Sequence, residues 1–137
     1  MPVVLLDSEA LSVLATPNER GASARRAQAI LHAAAVRHAP VRTSAAALVE
    51  VYRGGARDAA VDRVLDQGID VLPVDSGTAR VAARLLADAD LDSCSAIDAI
   101  VVATAVRLGG ALIVTSDPDD LARLSMHHPG VEIQALR

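Results

Sequence analysis

The sequence predicts an α/β fold in which a mainly parallel β-sheet carries helices on both faces. Two observations point there. Short runs at residues 3–6, 69–75 and 111–116 are dominated by apolar side chains, as expected of strands buried on both sides. Longer stretches with helical spacing lie between them and supply the crossovers that parallel strands require.

In chain order, residues 3–6 read as a buried strand, and Ala10, Leu11, Val13 and Leu14 as the apolar face of a short helix that stops before Pro17. TPNERGAS reads as a turn or loop, followed by a helix from Ser23 to about Arg37. Residues 41–43 form a second strand feeding the helix SAAALVEVYR, which stops at Gly54 and Gly55. ARDAAVDRVLDQG is a further helix with a glycine stop, IDVLPVD a third strand, and DSGTARVAARLLADAD a helix. SAIDAIVVATAVRLGG is the clearest helix, with Ser95 as N-cap, Asp98 in the first turn as its capping-box partner, and glycines after the last turn. ALIVTS is the fourth strand, DPDDLARL a short helix with Pro118 in its first turn, and VEI a terminal strand.

At 137 residues the chain reads as a single domain. Apolar residues make up 52% and aromatics 1%, so the core has to be built from Ala, Val, Leu and Ile. No apolar stretch approaches the roughly 20 residues that span a bilayer. Cys94 is the single cysteine, which rules out an intrachain disulfide, fits a reducing cytoplasmic setting and reads as a small packing residue. The formal charge of −4 argues against charge-driven wrapping of a duplex but leaves room for local phosphate contacts. All 13 basic residues are arginine, a side chain whose fork suits phosphate or a partner's carboxylate.

Four acids stand at element ends: Asp7 after the first strand, Glu50 in LVEVYR, Asp98 at the start of IDAIVVATAV, and Asp117 after the fourth strand. In a parallel sheet, strand carboxyl ends and the helix starts beside them face one crevice, so widely separated acids can meet. Carboxylates are hard ligands suited to Mg²⁺ or Mn²⁺, and without a cation several in one place raise one another's pKa. Each acid also has a local explanation. Asp7 ends a strand or caps a helix, Glu50 faces solvent, Asp98 closes the Ser95 capping box, and Asp117 caps the helix opened by Pro118.

On these residues the chain resembles the PIN-domain family, in particular its VapC-like members, the toxins of toxin–antitoxin pairs. The resemblance rests on LLDSEAL, on LVEVYR with Glu50, and on IDAIVVATAVRLGGALIVTSDPDDL, and it covers nearly the whole chain. It implies one PIN-like domain over residues 1–137, with a three-layer α/β/α fold and a five-stranded, mainly parallel sheet. It also implies an endoribonuclease using Mg²⁺ or Mn²⁺, held by Asp7, Glu50, Asp98 and Asp117. Asp7, Asp98 and Asp117 would hold the metal or its waters, and Glu50 would coordinate, position the attacking water or bind a second ion. The partners implied are an RNA substrate, a second copy in a homodimer, and a cognate antitoxin that covers or enters the groove.

Asp119 is an auxiliary candidate, and Thr115 and Ser116 are candidates to hydrogen-bond the Asp117 carboxylate or substrate. Many relatives of this kind carry Thr directly after the first acid, followed by a small hydroxyl residue. Here the chain reads Asp7-Ser8-Glu9: Ser8 keeps a hydroxyl, whereas Glu9 adds a charge that either points away or alters ion affinity and substrate approach.

Other classes lose on residue identity. A phosphoacceptor receiver domain would show an adjacent acidic pair and a late Lys, and this chain has no Lys; a haloacid-dehalogenase-like hydrolase would start Asp-x-Asp. There is no GxxxxGK[ST] loop, the four His form no metal motif, and the near absence of aromatics removes a base-stacking platform. Arg25, Arg26 and Arg53 are candidates to hold RNA phosphates, and the apolar faces of residues 9–15 and 23–37 are candidates for a partner surface or for the core. The alternative function is a regulatory or structural PIN-like module with weak or absent catalysis.

Overall fold

A computed structural model describes residues 2–137. The elements run β1 (Val4–Leu6), α1 (Ser8–Ala15), α2 (Pro17–Arg20), α3 (Ala22–Val36), β2 (Val41–Ser44), α4 (Ala45–Val51), α5 (Ala56–Leu65), β3 (Ile69–Leu72), α6 (Ser76–Asp88), α7 (Ala96–Arg107), β4 (Ala111–Thr115), α8 (Asp119–Leu124) and β5 (Val131–Ala135). The five strands form one sheet in the order β3-β2-β1-β4-β5. Every pairing is parallel, so the expected mainly parallel sheet is wholly parallel among the described residues.

β1 lies at the centre and shows why its apolar run is uninterrupted. Val4 and Leu6 point into one core with α1, α3, α4 and α5, while Leu5 points into a second core with α6, α7 and α8. Both faces of the strand are covered, which gives three layers. β4 repeats the pattern, with Val114 in the first core and Ile113 in the second. The second core is filled largely by Ala and Val of α7, small side chains that let this helix lie close against the sheet.

Several local expectations change. Pro17 opens a single helical turn, α2, where a loop was expected, because proline's fixed φ suits a first helical position. The helix through LVEVYR ends at Val51, with Tyr52 already extended and its hydroxyl bound to Asp62. Ser95 occupies the N-cap position of α7 but its side chain makes no capping bond, so the Ser95–Asp98 capping box does not form. A 3₁₀ turn, Ser93–Ser95, leads into α7 instead, capped by Asp92 accepting from the Cys94 amide at 2.9 Å. Cys94 is exposed and does not pack. The apolar faces of α1 and α3 are both core-facing, through Leu11, Val13, Ala24, Ala27 and Ala34. Among the described residues, no helix is long and apolar enough to cross a membrane.

Gly110 makes the turn from α7 into β4. Its φ is +119°, and a Cβ there would sit 2.7 Å from the Gly130 carbonyl oxygen, which accepts from the Ala111 amide. The carbonyl oxygen is backbone and the Cβ position is set by the backbone, so neither can swing away. Gly110→Ala is therefore expected to destabilise the protein by about 2–4 kcal/mol, read as a lowered urea midpoint.

Candidate functional site

The order β3-β2-β1-β4-β5 reverses between β1 and β4, which places the crevice of a parallel sheet beyond the carboxyl ends of these two strands. Asp7 directly follows β1 and Asp117 stands two residues after β4. Asp98 enters from the first turn of α7 and Glu50 from the last turn of α4.

Asp7 is 3% exposed. Its Oδ1 accepts from the Ala10 amide at 2.8 Å, capping α1, so its local role and its place at the crevice coexist. Burial pushes its carboxyl up to about 7, against the hydrogen bonds from Thr115 and Ala10, and the carboxylates of Glu9 and Asp98 push in the same direction as burial. Asp98 is half-buried and raised to about 6, first by burial and then by Glu50, Asp120, Asp117 and Glu9. Burial leads both shifts, and the charged groups named with it are carboxylates. The acids are thus near enough to oppose one another's ionisation.

Hydrogen bonds tie the rim together. The Ser8 hydroxyl donates to Glu50 Oε1 at 2.8 Å, joining α1 to α4. The Ser116 hydroxyl donates to Glu9 Oε2 at 3.1 Å, so Glu9 turns toward the crevice rather than away. Thr115 and Ser116 do not bind the Asp117 carboxylate: Thr115 Oγ1 accepts from the Asp117 amide at 3.0 Å and Ser116 is engaged by Glu9. Asp117 is exposed and does not cap α8, whose N-cap position is taken by Pro118.

Asp119 is exposed, as a helix-surface residue would be, whereas Asp120 neighbours the crevice: it raises the Asp98 carboxyl and accepts from the Ser95 hydroxyl at 3.4 Å. Sequence reasoning missed it although a signal existed, since the third residue after Asp117 returns to the same side once the chain turns helical.

Side-chain positions set a limit. Among the described residues, no group of three His, Cys, Asp or Glu converges closely enough to hold one metal ion. A cavity of about 300 Å³ lies at the rim, lined by Glu50, Ser93, Cys94, Ala96, Ile97 and Asp98. A larger cavity of about 530 Å³, between α3 and the starts of β2 and β3, contains none of these acids.

Known proteins bear on this arrangement. The chain resembles the VapBC2 complex of Rickettsia felis, solved bound to a DNA fragment from their promoter, at a TM-score of 0.68 and 14% identity over 98% of each chain. A toxin–antitoxin complex from Klebsiella pneumoniae is similar at a TM-score of 0.61 and 20% identity, over 93% of this chain and 94% of that one. A protein of Pyrobaculum aerophilum is similar at a TM-score of 0.55 and 19% identity, over 97% and 92%. No curated protein sequence matches at a significant level. The model of the PIN domain matches residues 4–125, a span that holds Asp7, Glu50, Asp98, Asp117 and Asp120, and the chain belongs to the PIN domain family.

Proposed function

We propose that this chain is a VapC-like endoribonuclease dependent on Mg²⁺ or Mn²⁺, the toxin of a toxin–antitoxin pair, acting as one domain over residues 1–137. The observation that carries the reading is the pair of raised carboxyls, Asp7 and Asp98, set among further carboxylates. Such a cluster is unfavourable as it stands and becomes favourable around a divalent ion. The two toxin–antitoxin complexes of similar fold support the assignment to toxins.

The donor set fits a hard cation: all the candidate ligands are carboxylates, and Asp7 is buried at the strand end. Asp7, Asp98 and Asp117 would hold the ion directly or through its waters. The ion would supply Lewis acidity toward the phosphodiester and acidify the attacking water. Ser8 fixes Glu50 through Oε1, leaving Oε2 to take the proton of that water or to serve a second ion. Thr115 steadies the Asp7 carboxylate from β4. In this reading the partners are an RNA substrate, a second copy of the chain and a cognate antitoxin, in the cytoplasm.

A second reading, a PIN-like module that binds without cleaving, is favoured by the separation of the carboxylates. The two separate on one experiment. Purified protein is incubated with structured and single-stranded RNAs in Mg²⁺, Mn²⁺ or chelator, beside Asp98→Asn. The nuclease reading expects metal-dependent cleavage that falls at least about a hundredfold in the variant. Cleavage by Asp98→Asn at the wild-type rate would sink the assigned site, and metal-dependent RNA binding without cleavage would favour the module.

A further inference from the structure

A crevice lined with carboxylates repels the phosphates that it is proposed to cleave, so positive charge is needed beside it. The C-terminal edge of the sheet carries it. Arg26 Nη1, from α3, donates to the Leu136 carbonyl at 2.6 Å, and Arg137 Nε donates to the Ser116 carbonyl at 2.9 Å. Leu136 is fully buried and its amide donates to the Thr115 carbonyl at 2.8 Å, which clamps this segment onto the end of β4. Arg137 is thereby tied to the backbone next to Asp117, and Arg26 to the segment that bonds back to Thr115.

The ion pairs among the described residues are Arg42–Asp70, Arg84–Asp88 and Arg107–Asp75, and neither guanidinium is engaged in one. Each donates one N–H of its five to a neutral carbonyl, and the remainder stay available to an anion. Arg53 differs, since its Nη1 folds back onto the Val49 and Tyr52 carbonyls at the end of the preceding helix, α4, as a local cap.

We propose that Arg26 and Arg137 form a phosphate-gripping rim that holds an RNA strand by its backbone, independently of sequence, beside the acid crevice. This rests on the nuclease reading for the identity of the strand. Arg137, which the sequence did not single out, fixes the rim to the residues leading into Asp117. The rim acts on substrate binding and leaves the chemistry to the acids.

The test uses the full chain and a fluorescent single-stranded RNA of mixed sequence, with binding followed by anisotropy in chelator from 50 to 300 mM salt. Arg26→Gln and Arg137→Gln keep a donor for the carbonyl but lose the charge. Each is expected to weaken binding about tenfold at low salt and to reduce the slope of log K against log salt by roughly 0.7. Arg26→Lys and Arg137→Lys should restore the slope, and Arg84→Gln, on α6, should change neither quantity. With metal, the Gln variants should raise KM for RNA at unchanged kcat and leave hydrolysis of bis(4-nitrophenyl) phosphate unaltered. Unchanged affinity and slope in both Gln variants overturns the rim, as does an equal loss on RNA and the small diester. Charge-dependent RNA binding with no cleavage in any metal would instead overturn the nuclease reading and leave the rim standing.

Discussion

Replacing Asp7 by Asn is expected to make the metal-free protein more stable above pH 7 while removing at least about 99% of its RNA cleavage. The two effects have one cause. Asp7 has its carboxyl raised from 3.8 to about 7, chiefly by burial. Between these values the unfolded chain has released the proton and the folded chain still holds it, so stability falls as pH rises through that window and the full penalty is present above it. The shift corresponds to a penalty on the order of 4 kcal/mol. Asn carries no charge and retains an oxygen for the Ala10 amide, so the helix cap survives. Thermal melts from pH 4 to 8 should show both proteins losing stability with pH, the variant less steeply because only the raised Asp98 remains, with Asp7→Asn melting about 10 °C higher at pH 8. A variant less stable than wild type at pH 8 would show that Asp7 is not held at energetic cost.

Adding a divalent ion should have the opposite signature. If Mg²⁺ or Mn²⁺ occupies the crevice, it binds the folded chain in preference to the unfolded one, and at a concentration of about 100 Kd it stabilises by roughly 2.7 kcal/mol. For a chain of 137 residues that is a rise in Tm of about 10 °C. The ion favours the ionised acids, so the rise should be largest above pH 7 and shrink toward pH 5, as protonation of Asp7 and Asp98 competes with it. Asp7→Asn should abolish most of the rise. Calorimetric scans with and without Mn²⁺ at pH 5.5 and 8 decide the matter. A metal-induced rise that survives Asp7→Asn would place the ion elsewhere.

The fate of individual residues shows how far the sequence reaches. Val3 to Leu6 predicted a buried strand because no polar residue interrupts it, and β1 sends Val4 and Leu6 to one core and Leu5 to the other. Strand runs between helices carried the parallel sheet in the same way. Local chemistry was harder to read. Ser95 and Asp98 have capping-box spacing, yet a 3₁₀ turn turns the Ser95 hydroxyl toward Asp120. Spacing describes neighbours along one chain segment, and the decisive contact came from another.

The same division holds for the crevice. Asp7, Glu50, Asp98 and Asp117 were visible as acids at element ends, since strand ends and helix starts follow from periodicity. Their mutual proximity was not visible, because it depends on β1 lying beside β4 although more than a hundred residues separate them in the chain. Tertiary structure alone turned Glu9 toward Ser116, brought Asp120 beside Asp98 and clamped Arg137 beside Asp117. The sequence by itself determined which segments are buried and which residue types stand at their ends, because burial follows local hydrophobic pattern. Only the packed sheet decided which charges face one another, because Coulomb and hydrogen-bond energies depend on distance in space rather than along the chain.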